Sequence, residues 1–221
     1  MKASDDNLIL FQETLLVWWG DHARDYPWRH NRTSYRTVVA EIMLRRTRAD
    51  QVTPVYESFM KEYPTLEAGA CADAIKIKKI LKSLGLEWRA ENMVAFLREA
   101  FSRYGERLPE DVEELRSLPG IGDYVGAAVV CFSGNQNIPL IDTNVVRVLG
   151  RIFGLNTAGE ARRRRDMREL ARKAVAPAAP ADYHYALLDF GAKICTAAKP
   201  RCPNCPFGVA DQCEYYRQNV Q

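Results

Sequence analysis

The stretch LPGIGDYVGAAVVCFSG, Leu118 to Gly134, holds two glycines separated by one isoleucine, directly before an apolar run. Glycine reaches backbone angles that are closed to other residues, so Gly120 and Gly122 predict a tight turn between two helices. The second helix is expected to begin near Asp123. Its first backbone N–H groups and its positive end would then face outward, which makes the turn a candidate phosphate site. The alternative is a plain connection between helices.

Most of the remaining chain also carries a helical pattern. Apolar residues at helical spacing predict a helix over Leu8–Trp19 that ends at Gly20, and a longer pattern is expected to break before Pro54. Two later helices are expected to end at Gly85 and Gly105. No alternating strand pattern with hairpin turns is present. The sequence therefore predicts an all-α fold with short loops.

Length and composition narrow the class of protein. The 221 residues are 47% hydrophobic and 27% charged, and they suffice for one large domain or two small ones. The first ten residues carry acids where a secretory signal would carry basic residues, and no run of about 18 apolar residues occurs. We therefore expect a cytoplasmic, nucleoid-associated protein that does not bind a membrane.

The net charge of +3 is unevenly distributed along the chain. Arg29 to Arg48 contains six arginines and one acid, and Arg147 to Lys173 contains nine basic residues and three acids. Between them, Glu106 to Glu114 contains five acids and one arginine. Clustered arginine separated by an acidic stretch favours a surface that binds a polyanion. Solvated helix faces are the alternative.

Four of the six cysteines are close together near the C-terminus: Cys195, Cys202, Cys205 and Cys213. Where no export signal is expected, this spacing favours metal or cluster ligation over disulfide bonds. Four thiolates can hold a zinc ion or an iron–sulfur cluster, and the spacing alone does not decide between them.

Three further side chains are candidates for chemistry, and each has a structural alternative. Asp142 either caps the helix that follows it or acts as a functional acid. Glu41 lies in an apolar helical pattern, where it either pairs with Arg45 one turn on or acts as a functional acid. Tyr124 opens the helix after the glycine turn and is otherwise a packing residue.

Three of these features occur together in one known family. LPGIGDY, then LIDTN about twenty residues later, then the cysteine loop, resemble the helix-hairpin-helix DNA glycosylases with an iron–sulfur cluster. That family includes endonuclease III, the MutY adenine glycosylases and the Mig G·T mismatch thymine-DNA glycosylases, and the segment EIMLRRT resembles the Mig group most. The resemblance extends from Tyr26 to Cys213.

The resemblance implies two helical domains with DNA across the cleft between them. Residues 27–134 would form a six-helix barrel that contains the helix-hairpin-helix motif. Residues 1–26 and 135–221 would form a second helical domain that ends in the cluster loop, residues 195–213. The implied partner is double-stranded DNA with a mismatched or damaged base, bound by a monomer.

The resemblance also implies roles for single residues. Asp142 matches the catalytic aspartate, which stabilises the positive charge that develops on the sugar when the glycosidic bond breaks. Bifunctional members carry a lysine at the position of Tyr124, so a monofunctional enzyme is implied. Glu41 and Tyr124 would shape the pocket for the flipped base, while Arg45 or Arg46 would fill or brace the gap in the duplex.

Two ligand sites are implied in the same way. DNA phosphates would bind at the hairpin, at Leu118, Gly120, Ile121 and Gly122, where a monovalent cation is a further candidate ligand. A [4Fe–4S] cluster would be held by Cys195, Cys202, Cys205 and Cys213. The last interval between cysteines has seven residues, whereas the family usually has five.

The sequence leaves two substrate classes open. Glu41 matches the glutamate that adenine-excising members use to protonate the leaving purine, and Tyr124 also occurs in some of them. The segments EIMLRRT, LGLEWRAENM and IDTN nevertheless depart from the adenine-type patterns, and we expect no additional domain that reads oxidised guanine. Excision of thymine or uracil opposite guanine is therefore the favoured prediction, and excision of adenine or another purine is the alternative.

Overall fold

The structure, a computed structural model, describes residues 3–85 and 87–220. Within these ranges the chain forms α-helices and short 3-10 turns and no β-strand, which confirms the all-α prediction. None of the described helices is long and apolar enough to cross a membrane. The thirteen helices of the described ranges are α1 (Asp5–His22), α2 (Ser34–Leu44), α3 (Ala49–Glu62), α4 (Leu66–Ala70), α5 (Ala74–Leu81), α6 (Glu87–Tyr104), α7 (Val112–Arg116), α8 (Asp123–Gly134), α9 (Thr143–Phe153), α10 (Arg165–Ala174), α11 (Pro180–Lys193), α12 (Pro206–Val209) and α13 (Glu214–Asn219).

These helices belong to two compact units. One unit comprises Met1–Arg24 together with Asn135–Gln221 and contains α1 and α9 to α13. The other comprises Asp25–Gly134 and contains α2 to α8. We call them the cysteine unit and the hairpin unit.

The core of the hairpin unit is built on two antiparallel helices, α2 and α8. The hydroxyls of Ser34 and Ser133 lie 3.1 Å apart at one end of the pair. At the opposite end, Nη1 of Arg45 donates to the carbonyl of Gly120 over 3.2 Å. The last turns of α2 therefore lie beside the first turn of α8, where the glycine turn is.

The core of the cysteine unit is aromatic and includes the short helix that follows Cys205. Phe11 of α1 is fully buried, with its ring centroid 5.4 Å from that of Phe153 and 5.2 Å from that of Phe207. Phe207 lies in α12 and is also fully buried. Burying a phenylalanine stabilises the fold by about 1.5–3 kcal/mol, so this core holds the cysteine loop in place.

Two predicted helix ends are wrong. Helix α1 continues through Gly20 to His22, where no neighbouring atom lies within 4 Å of the position that a Cβ on Gly20 would take. Helix α3 runs through Pro54, and the chain breaks earlier, where Arg46 adopts a positive φ of 58°. A proline removes one helical hydrogen bond, whereas a left-handed residue turns the chain out of the helix. The glycines at 85 and 105 do end helical segments, both with positive φ.

The end of α1 is held by a buried carboxylate on α11. Asp189 is fully buried and accepts hydrogen bonds from Trp19 Nε1 and from the backbone N–H of Arg24, each over 2.9 Å. The Arg24 side chain forms an ion pair with the same carboxylate. Buried charges are tolerated when they are paired and hydrogen-bonded, and Asp189 meets both conditions.

A buried histidine on α11 predicts that stability falls in acid. Burial lowers the pKa of His184 from 6.5 to about 4, although its hydrogen bond to the Ile138 carbonyl opposes the shift. Between these pH values the unfolded chain binds a proton that the folded chain does not. Stability contributed by this group is thus complete above about pH 6.5 and is lost as the pH falls towards 4, by about 3 kcal/mol in total.

Urea unfolding at a series of pH values measures this loss. We expect the free energy of unfolding of His184→Gln to fall less steeply between pH 6.5 and pH 4 than that of the wild type. Equal slopes for the two proteins would show that His184 does not titrate in this way.

Candidate active site

The glycine turn forms as predicted, between α7 and α8. The Ile121 N–H donates to the Leu118 carbonyl over 3.2 Å, which closes the turn, and α8 begins at Asp123. The side chains of Leu118 and Ile121 are buried, with 2% and 6% of their surface exposed. Neither side chain is therefore available to contact a ligand. Arg116 braces the turn from α7, with Nε 2.7 Å from an Asp123 carboxylate oxygen.

The two glycines of the turn have different structural reasons. Gly120 has a φ of 75°, and a Cβ there would lie 3.0 Å from Cβ of Asn92, so only glycine fits. Gly122 has no positive φ, and a Cβ there would meet nothing within 4 Å. The expectation of unusual backbone angles is right for Gly120 and wrong for Gly122. The chain itself does not require a glycine at 122.

This difference gives a paired prediction. Gly120→Ala is expected to lower the free energy of unfolding by about 1–2 kcal/mol, because its backbone conformation is strained for alanine and Asn92 must move. Gly122→Ala is the matched control and is expected to change it by no more than about 0.5 kcal/mol. Urea denaturation of both variants measures the difference, and similar destabilisation by the two substitutions would contradict this account of the turn.

Arg45, which follows α2, connects the turn to the start of α6. Its guanidinium lies over the Trp88 ring at 4.9 Å and donates to the Gly120 carbonyl. The backbone carbonyl of Arg45 in turn accepts a hydrogen bond from the fully buried Arg89. Burial, and next the charge of Arg45, lower the pKa of Arg89. Arg45 therefore braces this unit internally, and a cation at the Gly120 carbonyl would compete with it.

Arg46 has a different environment. Its side chain is exposed, its backbone is left-handed, and within residues 3–85 and 87–220 it has no hydrogen bond or ion pair. A left-handed conformation of a residue other than glycine costs about 1–2 kcal/mol per residue. Of the two arginines predicted to approach DNA, Arg46 is the one whose guanidinium is available.

Glu41 and Tyr124 lie at the same end of the α2–α8 pair. Glu41 is in the last turns of α2 and Tyr124 is in the first turn of α8, and these segments are adjacent because the helices are antiparallel. Both side chains are partly buried and both have interactions with other groups. The hairpin unit thus places these two candidates on neighbouring helix turns.

Asp142 caps α9, and both of its carboxylate oxygens have partners. Oδ1 accepts a hydrogen bond from the Val145 N–H over 2.7 Å, and Oδ2 accepts one from Asn144 Nδ2 over 2.7 Å. The side chain remains partly exposed. The structural role and the chemical role are therefore compatible, because the cap fixes the orientation of a carboxylate that still reaches the surface.

A hydrogen-bonded chain leads from Asp142 to the cysteine loop. Asn144 Oδ1 accepts from Arg147 Nη2 over 2.8 Å, and Arg147 Nε donates to the Cys195 carbonyl over 2.8 Å. Burial lowers the pKa of Arg147, an effect that Asp142 among others opposes. A Cβ on Gly191 would lie 3.1 Å from Arg147 Nη2, so glycine leaves room for the guanidinium. Sequence reasoning missed Asn144 and Arg147 as supports of the carboxylate.

The basic stretch from Arg147 to Lys173 is only partly available to a polyanion. Arg151, like Arg147, faces inward, where it donates to the carbonyls of Thr196 and Ala197 over 2.7 and 2.9 Å. Three arginines of the run 162–165 form ion pairs with Glu160 and Asp166, which offset two of the four positive charges of the run. These contacts weaken the prediction of a polyanion-binding face over Arg147 to Lys173.

The four C-terminal cysteines are free thiols on one loop. Cys195, Cys205 and Cys213 are buried, and Cys202 is partly exposed. Burial raises the pKa of Cys205 to about 11 and raises those of Cys202 and Cys213. For Cys205 and Cys213, the backbone N–H groups two and three residues further along oppose this shift. Thiolates in such a place need a nearby cation, which metal ligation supplies.

Four thiols, three of them buried, are therefore suitable ligands for an iron–sulfur cluster. In addition, Arg151 Nη1 lies 3.5 Å from Cys195 Sγ. No three or more His, Cys, Asp or Glu side chains in the described ranges are arranged closely enough to hold a metal ion. Ligation by these four cysteines accordingly stays a prediction.

Comparisons with known proteins identify relatives of the whole chain. The model of the HhH-GPD superfamily of base excision DNA repair proteins matches residues 39–175. A thymine/uracil-DNA glycosylase of Methanothermobacter thermautotrophicus is 35% identical over 98% of this chain and 97% of its own. An adenine DNA glycosylase of Mycolicibacterium smegmatis is 36% identical over 86% of this chain and 66% of its own.

A solved structure is also similar to this chain, and it is of the same type of enzyme as the first relative. The structure of a thermostable thymine-DNA glycosylase superposes with a TM-score of 0.87 at 34% identity, and it covers 98% of this chain and 100% of that protein. The helical architecture described above is therefore the architecture of that protein.

Proposed function

The chain belongs to the HhH-GPD superfamily of base excision DNA repair proteins, and from this premise we propose that it is a monofunctional DNA glycosylase. Its proposed substrate is double-stranded DNA in which thymine or uracil is paired with guanine. The observation that carries the substrate is the near-complete match to a thymine/uracil-DNA glycosylase, at 35% identity over 97% of that enzyme.

In the proposed reaction Asp142 is the catalytic carboxylate. When the bond between the base and the sugar breaks, positive charge develops on the sugar, and a carboxylate held beside it stabilises that charge. The two hydrogen bonds that fix Asp142 prepare it for this task, because it needs no reorientation during the reaction. Water then adds to the sugar, and the products are a free base and an abasic site.

The hairpin is proposed to hold the duplex through its backbone. Gly122 and Asp123 at the start of α8 are exposed residues, and the N-terminus of a helix favours negative charge. The open space beside Gly122 leaves room for a phosphate to approach the backbone closely. Arg46, exposed and on a left-handed residue, is proposed to enter the duplex where the target base has flipped out.

Tyr124 and Glu41 are proposed to line the pocket for the flipped pyrimidine. A phenol cannot form a Schiff base with the abasic sugar, so we propose that strand cleavage by this enzyme is weak or absent. The glutamate and the phenol are suitable partners for the polar edge of thymine or uracil.

The cysteines are proposed to hold a [4Fe–4S] cluster, which when bound supplies iron–thiolate bonds that cross-link the loop from Cys195 to Cys213. The chain's own contribution is the pair Arg147 and Arg151, which donate to the carbonyls of this loop. Loss of order in the loop would therefore reach Asn144 and Asp142 through Arg147.

Excision of adenine is the second candidate function. Adenine DNA glycosylases are among the relatives at 36% identity, and Glu41 lies on the helix turn next to that of Tyr124. In that reaction Glu41 would protonate the leaving purine.

A panel of duplexes tests the proposed function. We expect alkali to cut the thymine or uracil strand of G·T and G·U duplexes after incubation with the protein, and to leave A·G and A·8-oxoguanine duplexes intact. Without alkali we expect little cutting, because the abasic strand stays whole. Alkali-sensitive cutting at adenine would support the second candidate, and extensive cutting without alkali would contradict the monofunctional assignment.

A further inference from the structure

The segment that carries Asp142 has little structure of its own. Residues 135–141 connect α8 to α9 without a helix, and most of residues 134–137 is exposed to solvent. Asn135 at its start has a positive φ of 50°. A carboxylate that must be placed within about 0.5 Å of its working position needs a firmer support than such a segment provides. The support comes from α11.

His184 of α11 supplies the central contact. Its Nε2 atom lies 3.0 Å from the carbonyl oxygen of Ile138 and 3.3 Å from the amide nitrogen of Leu140. Leu140 is two residues before Asp142, and its side chain is buried. A second contact, from the Ala181 N–H to Asn135 Oδ1 over 3.4 Å, holds the beginning of the segment on the same helix.

The imidazole is almost completely enclosed, with 2% of His184 exposed. One nitrogen cannot both donate to Ile138 and accept from Leu140, so each neutral tautomer makes one of the two hydrogen bonds. The second ring nitrogen, Nδ1, is buried and has no hydrogen-bond partner among the described residues. A buried polar atom without a partner destabilises a fold by about 1–3 kcal/mol. A role for the Nε2 contact would explain why the protein has a histidine here despite this loss of stability.

We propose that His184 is a positioning residue for base release: through one hydrogen bond, to the backbone of Ile138 or of Leu140 according to its tautomer, it holds this segment and thereby sets where Asp142 lies. This inference rests on the proposed function, since it assigns to His184 a part in the same reaction. His184 itself is buried and is not expected to contact DNA or the reacting atoms. Its effect is expected on the rate of the chemical step and not on the affinity for DNA.

Three variants test the proposal. His184→Leu keeps most of the volume and removes the polar contact, whereas His184→Gln places an amide group near the position of Nε2. Tyr183→Phe is the matched control, because it changes the preceding residue of α11 by one hydroxyl that is buried without a partner in the described part of the chain. Single-turnover release of thymine from a G·T duplex and affinity for a duplex with a non-cleavable thymidine analogue are measured for each variant.

We expect His184→Leu to lower the rate constant by at least about tenfold, because a misplaced catalytic group loses rate steeply with distance. The affinity is expected to stay within about threefold of the wild type. His184→Gln is expected to recover most of the rate, and Tyr183→Phe to match the wild type. An unchanged rate for His184→Leu would overturn the proposal, as would an equal loss in His184→Gln and His184→Leu.

Hydrogen exchange at the backbone amides of Ile138, Leu140, Ile141 and Asp142 tests the anchor without any substrate, because order in this segment is expected with either tautomer of His184. Exchange should be faster in His184→Leu than in the wild type and near normal in His184→Gln. Equal exchange in all three proteins would overturn the proposal even if activity differed. If the wild type released no base from any duplex, the proposed function would fail, and this measurement would still decide whether His184 holds the segment. Should His184→Leu not fold, His184→Asn, whose amide is too short to reach the segment, replaces it.

Discussion

Replacing Asp142 with asparagine is expected to lower the rate of base release by about a thousandfold or more and to leave DNA binding nearly unchanged. Asparagine is as good a helix cap as aspartate, so the hydrogen bond from the Val145 N–H to the side chain is retained. What is lost is the negative charge beside the sugar, together with the hydrogen bond from Asn144 Nδ2, because the amide has only one oxygen. Single-turnover kinetics and binding to an uncleaved duplex separate the two effects.

A second helix cap provides the control for this substitution. Asp73 caps α5 in the same way, with Oδ1 2.8 Å from the Ile75 amide nitrogen, and it lies in the hairpin unit. Asp73→Asn should leave the rate of base release unchanged. If both substitutions lowered the rate alike, or if Asp142→Asn remained active, Asp142 would be a cap and nothing more.

Replacing Asp189 with alanine is expected to destabilise the protein by about 3 kcal/mol, close to a hundredfold change in the unfolding equilibrium. The carboxylate is fully buried and accepts from Trp19 Nε1 and from the Arg24 backbone while it pairs with the Arg24 side chain. Removing it leaves these donors unsatisfied and the end of α1 unsupported. Urea or thermal unfolding, followed by circular dichroism, measures the loss.

An exposed ion pair is the appropriate comparison for this variant. Glu99 pairs with Arg103 on α6 over 3.2 Å, and both side chains are well exposed, at 44% and 39%. Glu99→Ala is expected to change the free energy of unfolding by less than about 0.5 kcal/mol, because solvent weakens such a pair. A loss below 1 kcal/mol for Asp189→Ala would mean that Arg24 and Trp19 find other partners.

Local signals in the sequence were sufficient for the helical class, for the glycine turn and for the helix cap at Asp142. The glycine turn and the cap at Asp142 depend on residues within a few positions of each other, and such patterns can be recognised without a structure. The predictions of a helix end at Gly20 and of a break before Pro54 were wrong because they also used only local signals. A glycine disfavours a helix by about 1 kcal/mol and a proline by about 3 kcal/mol, and tertiary packing can override either preference.

The contacts that hold the site in place could not be predicted from the sequence. Arg147 is one of several arginines in a basic stretch of the sequence, and only the structure shows that it contacts Asn144 and the cysteine loop. Asp189 and His184 have hydrogen-bond partners that are 165 and 46 residues away along the chain. No periodicity indicates which polar residues of a buried helix face have distant partners. In the sequence of α11, the one indication of such partners was the presence of polar residues within an otherwise apolar pattern.

The identity of the released base decides whether the protein excises thymine opposite guanine or excises adenine. Equal amounts of a G·T duplex and an A·8-oxoguanine duplex are incubated together with the wild-type protein, and the free bases are quantified by chromatography and mass spectrometry. We expect free thymine and almost no free adenine. Free adenine as the main product would contradict the proposed function and would assign the chain to the purine-releasing branch, with Glu41 as the proton donor.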